Sequence, residues 1–498
     1  MRLRFAFALA ISLSSTAARA YDFEISAETV GQGYQLRAGD STLVNRRRLT
    51  QYLGLDIFNV GPRDLLGRPL DRNQFYLAVS MRFEAELGEY ATLQDLSGHT
   101  PQRELFGEKF DLLYAYVGAR NLFGFVDAKL GRQLTVDLFD FYSFDGLSVE
   151  AKTPVHLAVE AWGGLNVSGA QPFDSPVYRT DGVALGGNPT ASLGARQEDA
   201  LEPTFGVALK TIGLRDVQTR VSYLRTMSFT GDRQPGEPSS AVLDEKVAWT
   251  ARGRFFHGLL VPWFGFRYNL LVGRLDELQA GARVTLSPSH ALSAEYVFAA
   301  PTFDGDSIWN VFGSQAFNDA RLTYDATLGR LRLFARGFVR LFSDEPTSSS
   351  GATSQTAGAP SALSGGGSAG ARLDLGRGFA RVDGYYEDGY GGTKGGVDLS
   401  GRFLVLGDWL SGLVLDGRIS YVHFRDDSRT IVNADSLGLQ GGVRYSFWRG
   451  LTAQLAVEEN VNRFYSSQLR VLALLDVSFF LGSRGAGFAR PRAWSPAR

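Results

Sequence analysis

Gln74-Phe75-Tyr76-Leu77-Ala78-Val79-Ser80-Met81-Arg82-Phe83-Glu84-Ala85-Glu86-Leu87 places an apolar side chain at every odd position and a polar one at most even positions. A two-residue period is that of a β-strand with one apolar and one wet face. The alternation returns about twenty times along the chain, mostly in segments of about 9–12 residues, the length a tilted strand needs to cross a bilayer. The expectation is an all-β protein: a single antiparallel transmembrane β-barrel of about 18–22 strands, with short periplasmic turns and long extracellular loops. In lipid only helices and closed barrels satisfy every backbone group, and no apolar run here reaches the roughly 20 residues of a spanning helix. The outer membrane of a Gram-negative bacterium is the expected location.

The ends agree with export. Residues 1–20 read as a secretory signal peptide, with Arg2 and Arg4 ahead of a short apolar core and Ala18-Arg19-Ala20 as the cleavage site. Residues 21–481 are then one barrel domain, and residues 482–498 a basic tail expected to hang disordered in the periplasm. The chain has no cysteine, which excludes disulfide scaffolds and thiolate metal sites. Its 51 basic residues nearly match 52 acidic ones, so nucleic acid is not an expected partner. Arginine greatly outnumbers lysine; GC-rich coding gives the same bias, but permanently charged guanidinium groups also suit a pore wall.

Tight turns rich in Gly, Pro, Asp and Ser, such as Thr153-Pro154, Leu328-Gly329-Arg330 and Gly376-Arg377-Gly378, alternate with longer polar connections. Among the latter are residues 88–108, 133–145, 168–202, 229–244, 301–315 and 425–436. Residues 343–369, low in complexity, are expected to be a mobile external loop. The last strand, Gln468 to Leu481, carries an unbroken apolar face from Leu469 to Leu481. It resembles the C-terminal assembly strand of outer-membrane proteins, which implies lipid, lipopolysaccharide and the barrel-assembly machinery as partners. With clear strands from Leu49 onward, no room is left for the plug domain of a TonB-dependent transporter.

Phasing each strand by its apolar face assigns the other face to the lumen. From Leu331 to Phe342 that face reads Arg332, Phe334, Arg336, Phe338, Arg340 and Phe342, which offers anions a charge and sugar rings a surface. The same phasing sends inward Arg220, Arg252, Arg254, Arg267, Arg283, Arg381, Arg418 and Arg444, together with acids that include Glu160, Glu295, Asp325, Asp383, Asp398, Asp416 and Asp476. Such arginines and carboxylates can equally cancel in a ladder that stiffens the wall. Trp249, Phe264, Phe266, Tyr268, Tyr296 and Phe298 fall on the lipid face, where aromatic girdles are expected.

Nothing in the chain reads as an enzyme, and no metal or cofactor is implied. Gly366-Gly367-Ser368-Ala369-Gly370 has the letters of a nucleophile elbow but no strand-then-helix setting. His156 and Glu160, read on one strand face, stand roughly 13 Å apart along it, too far to act as a pair.

Lys129-Leu130-Gly131-Arg132-Gln133, followed by Phe144-Asp145-Gly146-Leu147, resembles the porin-like barrels that include substrate-specific porins and alginate-type polysaccharide exporters. The resemblance implies a passive, arginine-lined conduit for hydrophilic or anionic solutes, with periplasmic partners if a polysaccharide is exported. A reading from another class is a structural or adhesion barrel whose long loops bind partners and whose lumen is plugged by residues 168–202.

Overall fold

The computed structural model describes residues 21–60, 74–87, 109–136, 141–167, 201–229, 241–300, 315–346, 363–389, 392–408, 411–426, 433–448, 450–482 and 485–488. The chain climbs and descends as β1 (Asp22–Ala38), β2 (Ser41–Val60), β3 (Gln74–Glu86), β4 (Lys109–Leu122), β5 (Val126–Val136), β6 (Phe141–Lys152), β7 (Leu157–Asn166) and β8 (Pro203–Thr211). It continues through β9 (Val217–Ser228), β10 (Ala241–Gly253), β11 (Leu260–Asn269), β12 (Arg274–Ser287), β13 (His290–Ala299), β14 (Gln315–Leu328) and β15 (Leu331–Pro346). Then follow β16 (Leu363–Asp374), β17 (Gly378–Asp388), β18 (Thr393–Asp408), β19 (Ser411–Arg425), β20 (Ala434–Trp448), β21 (Leu451–Asn462) and β22 (Ser467–Gly482). Each strand pairs antiparallel with the next, and β22 pairs with β1 from Phe23 opposite Leu481 to Arg37 opposite Ser467, closing a 22-strand barrel. Closure leaves no edge, so every strand has two hydrogen-bonded neighbours.

The registers preserve one pair of faces all the way round. Opposite residues share a face, and the pairs Glu160–Ala208, Arg220–Thr250, Glu295–Arg321, Asp319–Arg340, Asp383–Asp398, Arg402–Asp416 and Tyr34–Arg470 all fall on the same one. The other face carries exposed apolar side chains, among them Leu53, Val117, Val207, Leu322, Val339, Leu399 and Leu439. Trp249, Phe264 and Phe266 pack edge-on within it. Among the described residues no helix is long and apolar enough to cross a membrane; the wall itself presents the apolar surface.

Several connections differ from the sequence reading. The stretch 343–369 is strand at both ends: β15 runs to Pro346 and β16 begins at Leu363. Gly365, Gly366 and Gly367 have no side chain with which to signal a face, which is why the alternation was invisible there. Residues 133–145 are likewise mostly strand, since β5 reaches Val136 and β6 starts at Phe141. Strands also run longer than a bilayer requires, up to the 20 residues of β2, and β1 turns into β2 through only Gly39 and Asp40. Within the tail, Gly485–Phe488 forms a short strand, β23, antiparallel to β22. The signal peptide, most of residues 168–202 and the end of the tail lie outside the described residues.

Candidate functional site

The charged face is an ionic lattice that runs from β2 to β22. Asp319, fully buried, is gripped from two sides: Arg321 donates Nε and Nη2 at 2.8 and 3.1 Å, and Arg340 donates Nε and Nη2 at 2.9 and 2.7 Å. Arg321 also reaches Glu295 at 3.4 Å, and the Arg340 guanidinium stands 4.9 Å from the centre of the Phe317 ring. Farther along β15, Arg332 pairs with Asp374 at 3.2 Å, which is shared with Arg372 at 2.9 Å. Arg336, between them, donates to the Thr323 hydroxyl at 3.2 Å and has no carboxylate partner among the described residues.

Two further clusters extend the lattice. Phe334, Arg381, Asp383, Asp398, Ser400 and Arg418 line a cavity of about 330 Å3, inside which Arg381 pairs with Asp383 at 2.5 Å and Arg418 with Asp398 at 2.8 Å. At the seam where the barrel closes, Gln32, Tyr34, Arg46, Arg48 and Arg470 line a smaller cavity of about 170 Å3. Arg46 is held by Glu86 at 3.1 Å, Arg48 by Glu84, and Arg470 by Glu458 at 3.8 Å, with the Arg470 guanidinium 5.4 Å from the Tyr34 ring centre. Beside it Arg82, only 3% exposed, donates Nη2 and Nε to Asp111 at 2.7 and 3.1 Å.

No protein-family model and no curated protein matches the sequence. Solved structures similar to the barrel include the outer membrane protein OpdK and a BenF-like porin. OpdK of Pseudomonas aeruginosa with vanillate shares 10% identity at a TM-score of 0.42, covering 92% of this chain and 98% of that one. OccAB1 of Acinetobacter baumannii shares 12% at 0.44, covering 94% and 100%. A BenF-like porin from Pseudomonas fluorescens Pf-5 shares 10% at 0.42, covering 92% and 98%.

The structure gathers most of the sequence-chosen residues on one face but shows most of their charge already countered. Arg220 pairs with Glu160 at 2.7 Å, Arg283 with Asp325 at 3.1 Å, and Arg267 approaches Asp276 at 3.7 Å. Arg252 stands opposite Trp263, Arg444 opposite Gln454, and Asp416 opposite Arg402. Phe338 stands opposite Arg321.

Two readings need correction. Arg254 follows the end of β10 and lies in the turn, beside Gly258, because the strand period ends at Gly253. His156 is also a turn residue, with φ of 61°, whose carbonyl accepts from Ile212. Arg132 and Asp145, in the segment that carries the family resemblance, form a two-point ion pair at 2.8 Å, but their register puts them on the apolar face. Missed altogether were Tyr34, Arg46 and Arg48: the stretch 41–48 on β2 shows no apolar alternation, and Tyr34, on β1, meets Gln468 and Arg470 of β22 more than 400 residues away in sequence.

Proposed function

We propose that this protein is an outer-membrane pore that passes hydrophilic solutes passively, with the charged face turned to the lumen. The observation that carries it is the separation of faces preserved through every register of a closed wall: apolar side chains outside suit lipid, and a lattice of ion pairs suits water. Because most arginines are countered, the lining is amphoteric rather than strongly cationic. Weak ion selectivity follows, with Arg336 as the uncompensated positive group on β15. Residues 1–20 serve as the export signal, and N-terminal sequencing of the membrane-derived protein should begin at Tyr21.

The deciding experiment is single-channel conductance of the refolded mature protein in a planar bilayer, with selectivity from a salt gradient. A large ohmic conductance supports the pore. A folded but silent barrel would overturn the open pore and support a scaffold whose loops bind partners; deleting residues 168–200 should then open the lumen if that segment closes it. Export of a polysaccharide through the same lumen would require periplasmic partners, which crosslinking in the native envelope would capture.

A further inference from the structure

The cavity lined by Phe334, Arg381, Asp383, Asp398, Ser400 and Arg418 brings two ion pairs and an aromatic ring around one small space. Two guanidinium groups and two carboxylates share it, and each is already matched: Arg381 with Asp383 at 2.5 Å, Arg418 with Asp398 at 2.8 Å through Nη2 and 3.1 Å through Nε. Asp398 also accepts from the Ser420 hydroxyl. Asp383 and Asp398 stand directly opposite each other across β17 and β18, an arrangement that repels unless the flanking arginines neutralise it. The lining therefore has no net charge. Each guanidinium and each carboxylate thus has a charge partner, while the Asp383 Oδ1 atom has no hydrogen-bond partner among the described residues.

An uncharged ligand with hydrogen-bond donors and acceptors side by side fits this lining better than an ion. Carboxylates accept from hydroxyl groups, guanidinium N–H groups donate to them, and Ser400 does either. The remaining wall is the Phe334 ring, and here the backbone has been cleared for it. A Cβ on Gly370, opposite Phe334, would stand 2.4 Å from the ring and 2.1 Å from the Asp383 carboxylate. Ring and carboxylate thus both lean across the bare glycine, and the Arg381 guanidinium stands 5.7 Å from the ring centre. Arg381 and Arg418 are 45% and 53% exposed on the open side, so their free N–H groups are reachable. At about 330 Å3 the space lies at the small end of ligand pockets, roughly 300–1,000 Å3.

We infer that this cavity is a subsite for a neutral pyranose sugar, whose C–H face rests on Phe334 and whose adjacent hydroxyls bridge the paired arginines and aspartates. The inference rests on the charged face lining the lumen, which brings a passing solute to it. Arg336, one row farther along β15 and without a carboxylate partner among the described residues, marks the contrast: an anion would pause there, a neutral ring at Phe334.

The test is ligand-observed saturation-transfer NMR on the refolded, full mature barrel in detergent micelles, with methyl glucoside as probe and the corresponding methyl glucuronide as its charged counterpart. The glucoside should give saturation transfer, bind at least as well as the glucuronide, and lose about fivefold in affinity in Phe334→Ala. Ser400→Leu, which fills the cavity without removing its ring, should abolish transfer, and heat-modifiable gel mobility checks that both variants are folded. Absence of transfer to the glucoside, a glucuronide bound tenfold more tightly, or a glucoside signal indifferent to both variants would overturn the subsite. Binding in micelles needs no current, so a barrel that binds but does not conduct removes the pore and keeps the subsite, whereas one that conducts without binding does the reverse.

Discussion

Asp319 shows how a single carboxylate fixes the charge of the β14–β15 wall. It has no exposed surface, and two guanidinium forks close over it. Asp319→Asn keeps the shape but removes the counter-charge of Arg321 and Arg340, and the weakened charge-assisted bonds should cost about 1–3 kcal/mol. A lower urea midpoint together with a higher anion-to-cation permeability ratio would show both effects; an unchanged ratio would remove this pair from the conduction path. Arg336→Ala should act in the opposite direction, lowering the anion-to-cation ratio while leaving the urea midpoint unchanged, since it gives up one hydrogen bond to Thr323 and uncovers no carboxylate. Reversal potentials in a salt gradient measure the two variants on one scale.

At the scale of the strand pair, β6 and β7 approach so closely at Gly146 and Gly164 that neither has room for a side chain. A Cβ on Gly146 would sit 2.1 Å from the Gly163 carbonyl oxygen, and one on Gly164 2.2 Å from that of Asp145. Both obstacles are backbone and cannot swing aside, so Gly164→Ala should cost about 1–3 kcal/mol, read as a lower unfolding midpoint of the refolded barrel. The aromatic group beside them, Tyr142, Phe144 and Trp162, stacks at centroid distances near 6.1–6.2 Å on the charged face, with Trp162 lying across Gly206. These details were not legible in the sequence. A glycine inside a strand reports neither its face nor what leans over it, which is also why the first part of β16, Leu363 to Ala369, reads as loop in the sequence. The alternation itself was legible because a bilayer outside and water inside impose opposite demands on neighbouring residues, so the phase of β15, β17 and β19 could be read directly. Salt-bridge partners were not, because the period assigns a side chain to a face but leaves open whether Arg340 meets Asp319 or a solute. Turn residues such as Arg254 and His156 escaped for a related reason: Arg254 stands one residue past the end of β10 and His156 one residue before the start of β7.

For the whole molecule, the decisive claim is that the two faces of the wall meet different solvents, and β18 allows it to be tested at adjacent positions. Leu399 lies on the apolar face opposite Ile419, and Ser400 on the charged face opposite Arg418; both are in the interior of the strand. An arginine at Leu399 must place its guanidinium in hydrocarbon, at about 2–4 kcal/mol near the bilayer midplane. At Ser400 the same arginine enters a face that already holds Arg381, Arg418 and their aspartates, where its charge is hydrated. Leu399→Arg should therefore lower the yield of heat-modifiable, membrane-inserted barrel and its unfolding midpoint. Ser400→Arg should insert as well as the parent and show itself in conductance, as a smaller current with a higher anion-to-cation ratio. If both variants inserted equally well in a bilayer, the face with Leu399 would not be facing lipid, and the chain would be a soluble barrel of the same topology; if Ser400→Arg alone failed, the faces would be reversed. A charge tolerated at one residue and refused at its neighbour is the outcome that only a closed wall between lipid and water produces.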